Sequence, residues 1–138
     1  SGGWAQRVTI ALALCSQAKL LIADEPTNGL DQDSKQQTLS LLNDLFPDAA
    51  KLVITHDISV AASCGRILVL CGGKMLETGS SALVLAALVE NGMQETPALR
   101  TETGTCPFYR RCPAAFGRCR AEMPRRTQGD REWWCCKE

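Results

Sequence analysis

The run Leu20-Leu21-Ile22-Ala23-Asp24-Glu25-Pro26-Thr27-Asn28-Gly29-Leu30-Asp31 constrains this chain more than any other stretch. Four apolar residues lead into two adjacent carboxylates, a Pro-Thr-Asn-Gly turn and a third carboxylate. A short apolar run closed by a turn reads as a strand buried in a parallel sheet. Such a strand delivers Asp24 and Glu25 to the carboxyl edge of the sheet, where α/β folds place their sites. Taken alone, the same residues also describe a strand that ends in solvated acids, so the flanking segments have to decide.

Ahead of the run, Ser1-Gly2-Gly3 opens a segment whose apolar positions 4, 8, 11, 12 and 15 fall on one helical face. A serine and two glycines at a helix start leave backbone N–H groups that a phosphate can approach closely, although a plain capped helix explains them too. The abrupt opening reads as a piece of something longer. Behind the run, Gln32 to Phe46 reads as a helix with Leu39, Leu42 and Phe46 on one face, ended by Pro47-Asp48. Lys51 to Thr55 reads as a second buried strand ending at His56-Asp57, and Ile58 to Cys64 as a short helix stopped by Gly65. Arg66 to Cys71 is a third strand. Gly72-Gly73 signals a hairpin returning through Lys74 to Glu77, and Ser80 to Glu90 is a helix closed by Gly92. Strands alternating with helices are the grammar of a parallel α/β sheet.

The charge is unevenly spread along a chain whose net charge is zero. Residues 1–96 carry 6 Lys/Arg against 10 Asp/Glu and residues 97–138 carry 9 against 5, which places a boundary near Pro97. The basic side suits an anionic partner, nucleic acid or lipid, or a solvated surface. No apolar run reaches the length of a membrane span. The cysteines divide the same way. Cys15, Cys64 and Cys71 sit in apolar segments and read as small core residues. Cys106, Cys112, Cys119, Cys135 and Cys136 crowd the tail. Nothing signals an oxidising compartment, so metal ligation accounts for them better than disulfides do. The tail reads as a small irregular metal-binding segment, and one this poor in apolar clusters needs such a staple to fold.

Ser1-Gly2-Gly3 with Gln6-Arg7, then Leu20 to Glu25, then Asn28-Gly29-Leu30-Asp31, then Val53-Ile54-Thr55-His56-Asp57 stand in an order and spacing that resemble the second half of an ABC-type ATPase domain. They look like its signature motif, Walker B strand, D-loop and H-switch, and the resemblance covers residues 1–92. It implies a truncated P-loop NTPase-type parallel sheet with helices, in which the Asp24 strand pairs with the His56 strand. The 66–71 strand would keep only its hairpin partner. It further implies that Asp24 holds Mg2+, that Glu25 orients or deprotonates the attacking water, and that His56 reaches the γ-phosphate of ATP. Ser1, Gly2 and Gly3 would complete the ATP site of an opposite subunit, and Asp31 would contact that subunit.

Two departures qualify the match. Trp4 follows the glycines where the family usually has Gln, a variation similar to that of peptide-importer ATPases. There is also no Walker A loop in these residues. Gly72-Gly73-Lys74 fails as one, because a P-loop ending there needs glycine at 68 and Ser or Thr at 75, and the residues are Leu68 and Met75. These motifs therefore form half of each site, and the phosphate cradle is expected upstream.

The tail, 93–138, resembles the C-terminal extension of oligopeptide, dipeptide and nickel importer ATPases through Cys106-Pro107-Phe108-Tyr109-Arg110-Arg111-Cys112-Pro113, Cys119 and Cys135. The C-x5-C-x6-C-x15-C spacing is too wide for paired zinc knuckles. The resemblance implies a [4Fe-4S] cluster on Cys106, Cys112, Cys119 and Cys135, with Cys136 as the alternative fourth ligand, Zn2+ as the alternative metal and unligated thiols as a third reading. Trp133-Trp134 would then shield the cluster.

The function implied is an ATP-hydrolysing subunit that powers import of peptides or nickel from the cytoplasmic face of a bacterial inner membrane. Its partners would be a second ABC ATPase subunit in a head-to-tail dimer, transmembrane permease subunits and, indirectly, an extracytoplasmic substrate-binding protein, with no nucleic acid. The alternatives are a soluble ABC-type ATPase acting on nucleic acid through a zinc-binding basic tail, and a non-catalytic metal-binding interaction module.

Overall fold

The computed structural model describes residues 2–16, 18–90, 106, 112, 115, 117–120 and 123–135. The chain divides into two compact units, Ser1–Val60 and Ala61–Glu138.

In the first unit, helix α1 (Gly2–Leu14) is followed by β1 (Leu20–Asp24), α2 (Gln32–Leu45) and β2 (Ala50–Ile54). A five-residue helix α3 (Ile58–Ala62) follows. β1 and β2 pair in parallel, from Leu20 opposite Ala50 to Asp24 opposite Ile54, as the resemblance implies. The side chains alternate. Leu21, Ala23 and Val53 are half-buried, while Leu20, Ile22, Leu52 and Ile54 line a face left open among the described residues, with Ile22 at 59% exposure and Leu52 at 49%. The reading of β1 and β2 as strands buried on both faces is therefore met on one face only. The apolar stripe of α1 also stays open, with Val8 and Leu12 exposed. Cys15, read as a core residue, is exposed, and Cys64 is half-buried.

Helix α2 has clear causes at both ends. Asp31 caps it in an extended conformation, its carboxylate accepting from the Ser34 N–H at 2.9 Å and the Ser34 hydroxyl at 3.0 Å. Leu42 and Phe46, one turn apart, are both buried, and Pro47 cannot continue the helix.

The second unit is built on an antiparallel hairpin. β3 (Arg66–Cys71) turns at Gly72-Gly73 into β4 (Lys74–Ser80). Both glycines adopt positive φ, 56° and 74°, the backbone that a tight two-residue hairpin demands. A register shift between Val69 and Leu70 marks a bulge. Helix α4 (Ser81–Glu90) packs on β4 and β3, with Val84 fully buried and Ala87, Leu76 and Cys71 nearly so. Burying one Val or Leu side chain is worth roughly 1.5–3 kcal/mol, so this small apolar set is the main cohesion of the unit.

The tail departs from the expectation of an irregular segment. A short 3₁₀ turn (Gly117–Arg120) precedes a hairpin of β5 (Arg125–Gln128) and β6 (Arg131–Trp134). β6 pairs antiparallel with β4, Glu77 opposite Trp133 and Thr78 opposite Glu132, giving a four-stranded sheet in the order β3-β4-β6-β5. β3 accordingly has β4 as its one neighbour in the sheet. The strands do not form one parallel sheet among the described residues. They form a parallel pair and a separate antiparallel sheet.

Local chemistry explains the docking of β6. A Cβ at Gly79 would sit 3.1 Å from the Arg131 Cα, so the missing side chain is what lets the backbones approach. Arg131 Nε donates to Glu77 Oε1 at 2.6 Å, and its guanidinium lies 4.5 Å from the centre of the Trp133 ring. Arg125 donates to Glu132 and lies over Trp134. The two tryptophans, expected as shields of a cluster, are strand residues whose rings carry arginines. No helix among the described residues is long and apolar enough to cross a membrane.

Candidate functional site

The site lies at the carboxyl edge of the β1–β2 pair. The parallel ladder runs one residue past β1, because the Glu25 N–H donates to the Ile54 carbonyl at 2.8 Å. Glu25 then adopts φ of 46°, in the left-handed region that a non-glycine residue enters at a cost of about 1–3 kcal/mol. The Pro26–Gly29 turn follows immediately. Its Asn28 N–H donates to the Glu25 carbonyl and its Gly29 has φ of 73°. Thr27 is buried at 2% exposure, and its carbonyl accepts from the Leu30 N–H at 3.2 Å.

This backbone brings together two residues 31 positions apart. Glu25 Oε1 lies 2.7 Å from His56 Nδ1 and accepts from the His56 N–H at 3.2 Å. His56 follows β2 by two residues, and Glu25 follows β1 by one, so parallel pairing in register is what juxtaposes them. A carboxylate at Nδ1 holds the imidazole proton on that nitrogen and turns Nε2 outward. The imidazole is 68% exposed and the carboxylate 32%, so the pair is open to solvent and to a ligand. Asp24, last residue of β1, is exposed on the face of Leu20 and Ile22. Glu25, next in sequence, lies past the end of the strand. Asp31 is engaged in capping α2, and its hydrogen bonds from Ser34, backbone then hydroxyl, lower its pKa. Gly2 and Gly3 are the first residues of α1, whose leading N–H groups have no partner within the helix. Ser1 lies outside the described residues.

One part of the site carried no motif. Lys35 on α2 forms an ion pair with Asp57, the residue after His56. Asp57 Oδ1 also accepts from the Ser59 N–H at 2.8 Å and the Ser59 hydroxyl at 2.6 Å, and the Asp57 N–H donates to Thr55 Oγ1 at 3.0 Å. The Lys35 ammonium first, and Ser59 second, hold the Asp57 carboxyl well below its ordinary value of 3.8. A depressed carboxyl pKa contributes stability above the unfolded value that is lost as pH falls through the folded one. Asp57→Asn should therefore lower stability at neutral pH and flatten the acid limb of the stability curve below pH 3.8. Chemical denaturation in a pH series reads both. A lysine in the opening turn of α2 was the available signal, since the helix dipole disfavours a cation there unless a carboxylate holds it.

The tail cysteines are placed as follows. Cys119 is buried, and its carbonyl accepts from the Cys106 N–H at 2.9 Å. Cys106, Cys112 and Cys135 are half-buried, and the Cys135 N–H donates to the Pro124 carbonyl. Among the described residues, no three His, Cys, Asp or Glu side chains gather closely enough to hold a metal ion. The four-cysteine ligand set expected from the sequence is not assembled in this geometry, and Cys136 lies outside the described residues.

The ABC transporter family model matches residues 1–28. The chain is 38% identical to a probable peptide ABC transporter ATP-binding protein of Sinorhizobium fredii, over 90% of the chain and 44% of that protein. It is 36% identical to the oligopeptide transport ATP-binding protein OppD of Escherichia coli, over the same shares. Among solved structures, a bacterial Atm1-family ABC exporter with ATP bound matches with a TM-score of 0.56 and 35% identity, covering 68% of this chain and 16% of the exporter chain. The chain spans less than half the length of the curated relatives it matches. With the Glu25–His56 geometry at the edge of a parallel pair, the chain is similar over 90% of its length to the ATP-binding proteins of peptide ABC transporters.

Proposed function

We propose that these residues are the C-terminal part, 1–92, of an ATP-hydrolysing domain, followed by an importer-type extension, 93–138, in a subunit that powers peptide import. The observation that carries the reading is the 2.7 Å contact between Glu25 and His56 at a sheet edge, with Asp24 the last residue of the strand before Glu25. The printed functions of the relatives, oligopeptide and dipeptide transport, support peptides as cargo. Nickel rests on the tail's resemblance alone.

Each residue has a task suited to its chemistry. Asp24 offers hard oxygen ligands, and Mg2+ held there would supply charge neutralisation for a transferring phosphoryl group. Glu25 accepts a proton from the attacking water. Both His56 contacts fall on Oε1, so in this reading Oε2 is the oxygen that receives the proton of the water. His56 holds Glu25 in place through Nδ1 and presents Nε2 to the γ-phosphate. The phosphate cradle comes from a part of the protein outside these 138 residues, and its ATP is completed by Ser1, Gly2 and Gly3 of a second ATPase subunit arranged head to tail, with Asp31 at that contact. The subunit docks peripherally on permease subunits at the cytoplasmic face of the inner membrane, with a substrate-binding protein reached indirectly.

For the extension, four thiols within thirty positions suit a [4Fe-4S] cluster, or Zn2+, in donor chemistry. The described geometry does not gather them, so no step of the mechanism runs through a cluster. The tail arginines favour transport over a nucleic-acid reader, since Arg125, Arg126 and Arg131 are matched by Glu132, the Cys135 carbonyl and Glu77.

Reconstitution of the complete protein with its permease pair in vesicles tests the reading. ATP-dependent uptake of a labelled oligopeptide is expected. ATP hydrolysis stimulated by DNA or RNA, with no transport, would overturn it. Iron and sulfide content of the purified protein decides the extension: brown colour is expected, and colourless zinc-loaded protein would replace the cluster with the alternative metal.

A further inference from the structure

We propose that Lys35 is a positioning residue for the Glu25–His56 pair, acting by clamping Asp57 and with it the loop that presents His56. The inference rests on the functional reading above and extends it to a residue outside every motif.

Lys35 is held at two points. Its backbone N–H donates to the carbonyl of Asp31 at 2.9 Å, which ties it to the turn that follows Glu25. Its ammonium engages Asp57 Oδ2, which ties it to the loop that follows β2. Both partners are sheltered, with side-chain exposures of 23% and 22%, so the contact is less screened by water than a surface pair. Asp57 in turn is fixed through Oδ1 by Ser59 and through its N–H by Thr55. His56 lies between Thr55 and Asp57, and its own N–H donates to Glu25. The result is a closed circuit: Glu25, the Pro26–Gly29 turn, Asp31, Lys35, Asp57, His56 and back to Glu25. Every link but two is backbone or a local turn. The Lys35–Asp57 contact is the one long side-chain bridge in it besides Glu25–His56 itself, joining α2 to the loop across 22 positions.

This placement has a consequence for chemistry. Glu25 and His56 follow the ends of separate strands, and the parallel ladder fixes the second of these only up to Ile54. Beyond it, the 55–57 loop sets where the imidazole points. A misplacement of about 1 Å at a reacting group costs up to about 100-fold in rate, so a clamp on the next residue matters without touching substrate. An arginine at 35 can make the same ion pair, whereas glutamine has neither the charge nor the reach.

The test is kinetic, in the complete protein assembled with its partner copy and permease. Lys35→Gln is expected to lower kcat about 10-fold with KM for ATP within about two-fold, because the residue shapes the hydrolytic pair and not the nucleotide cradle. Lys35→Arg should restore turnover. The double variant Lys35→Gln/Asp57→Asn should lie within about two-fold of the worse single variant, as expected when both residues act through one contact. Multiplicative losses in the double variant, a loss confined to KM, or failure of arginine to rescue would each overturn the proposal. Turnover is normalised to the fraction of sites that bind labelled nucleotide, so misfolding of Lys35→Gln is not read as a loss of kcat. Glu25→Gln run in parallel separates the two levels of the account. If it is inactive while Lys35→Gln matches wild type, only the clamp fails. If it retains turnover, the functional reading fails and the clamp with it.

Discussion

Replacing Glu25 by Gln is expected to reduce steady-state ATP hydrolysis by about 10²–10⁴-fold, the usual worth of a general base, while nucleotide affinity stays close to wild type. The physical basis is specific. Glutamine keeps the shape of the side chain and can still meet His56, but an amide oxygen is a far weaker proton acceptor than a carboxylate. The backbone at 25 already occupies the left-handed region, and the substitution leaves that conformation as it is. The loss should therefore appear in kcat and not in folding. Phosphate release assays against equilibrium binding of a labelled nucleotide separate the two. An unchanged turnover would remove Glu25 from the mechanism.

The second large effect is on stability. Arg131→Ala should destabilise the second unit by about 2–4 kcal/mol, because it strands a sheltered carboxylate and removes a guanidinium stacked on Trp133. Glu77 and Arg131 have side-chain exposures of only 12% and 20%, and their contact joins the tail hairpin to β4. Replacing both, as Glu77→Leu with Arg131→Met, should cost far less than Arg131→Ala alone, since no charge is left unpaired. The pH dependence has a definite sign. Burial pushes the Glu77 carboxyl above its ordinary value, and the Arg131 guanidinium pulls against that rise. Without Arg131 only the upward push remains. The native state then binds the Glu77 proton more tightly than the unfolded chain, so stability increases as pH falls through the raised value. The deficit of Arg131→Ala should shrink from pH 7 towards pH 4, as urea midpoints at each pH would show.

Much of the site was legible in the residues because its geometry is local. Leu20 to Glu25 spells a strand and its end, and Pro26 to Asp31 spells a turn and a helix cap, so β1, the turn and α2 follow from short-range rules. The Glu25–His56 contact was reachable by resemblance to a family, since pairing of β1 with β2 in register is a long-range fact. Lys35–Asp57 was missed because Lys35 belongs to no motif and Asp57 entered only as the last residue of one, and only an oddly placed cation hinted at their contact. The tail shows the opposite failure. Arg125 to Trp134 is charged and short, with little strand pattern, and its order comes from tertiary contacts. Glu77, Gly79 and β4 supply the template. A strand that borrows its stability from a neighbour leaves few traces in its own sequence. The open face of Leu20, Ile22, Leu52 and Ile54 is a third case, where the apolar pattern spells two buried faces and the described residues cover one.

The central claim is that Glu25 serves the hydrolytic step and not nucleotide binding. The most direct measurement is the identity of the nucleotide retained by the complete Glu25→Gln protein after prolonged incubation with ATP and Mg2+, read by chromatography of the released nucleotide. The account predicts ATP, held intact between paired subunits. ADP in the variant, at the level found in wild type, would contradict it.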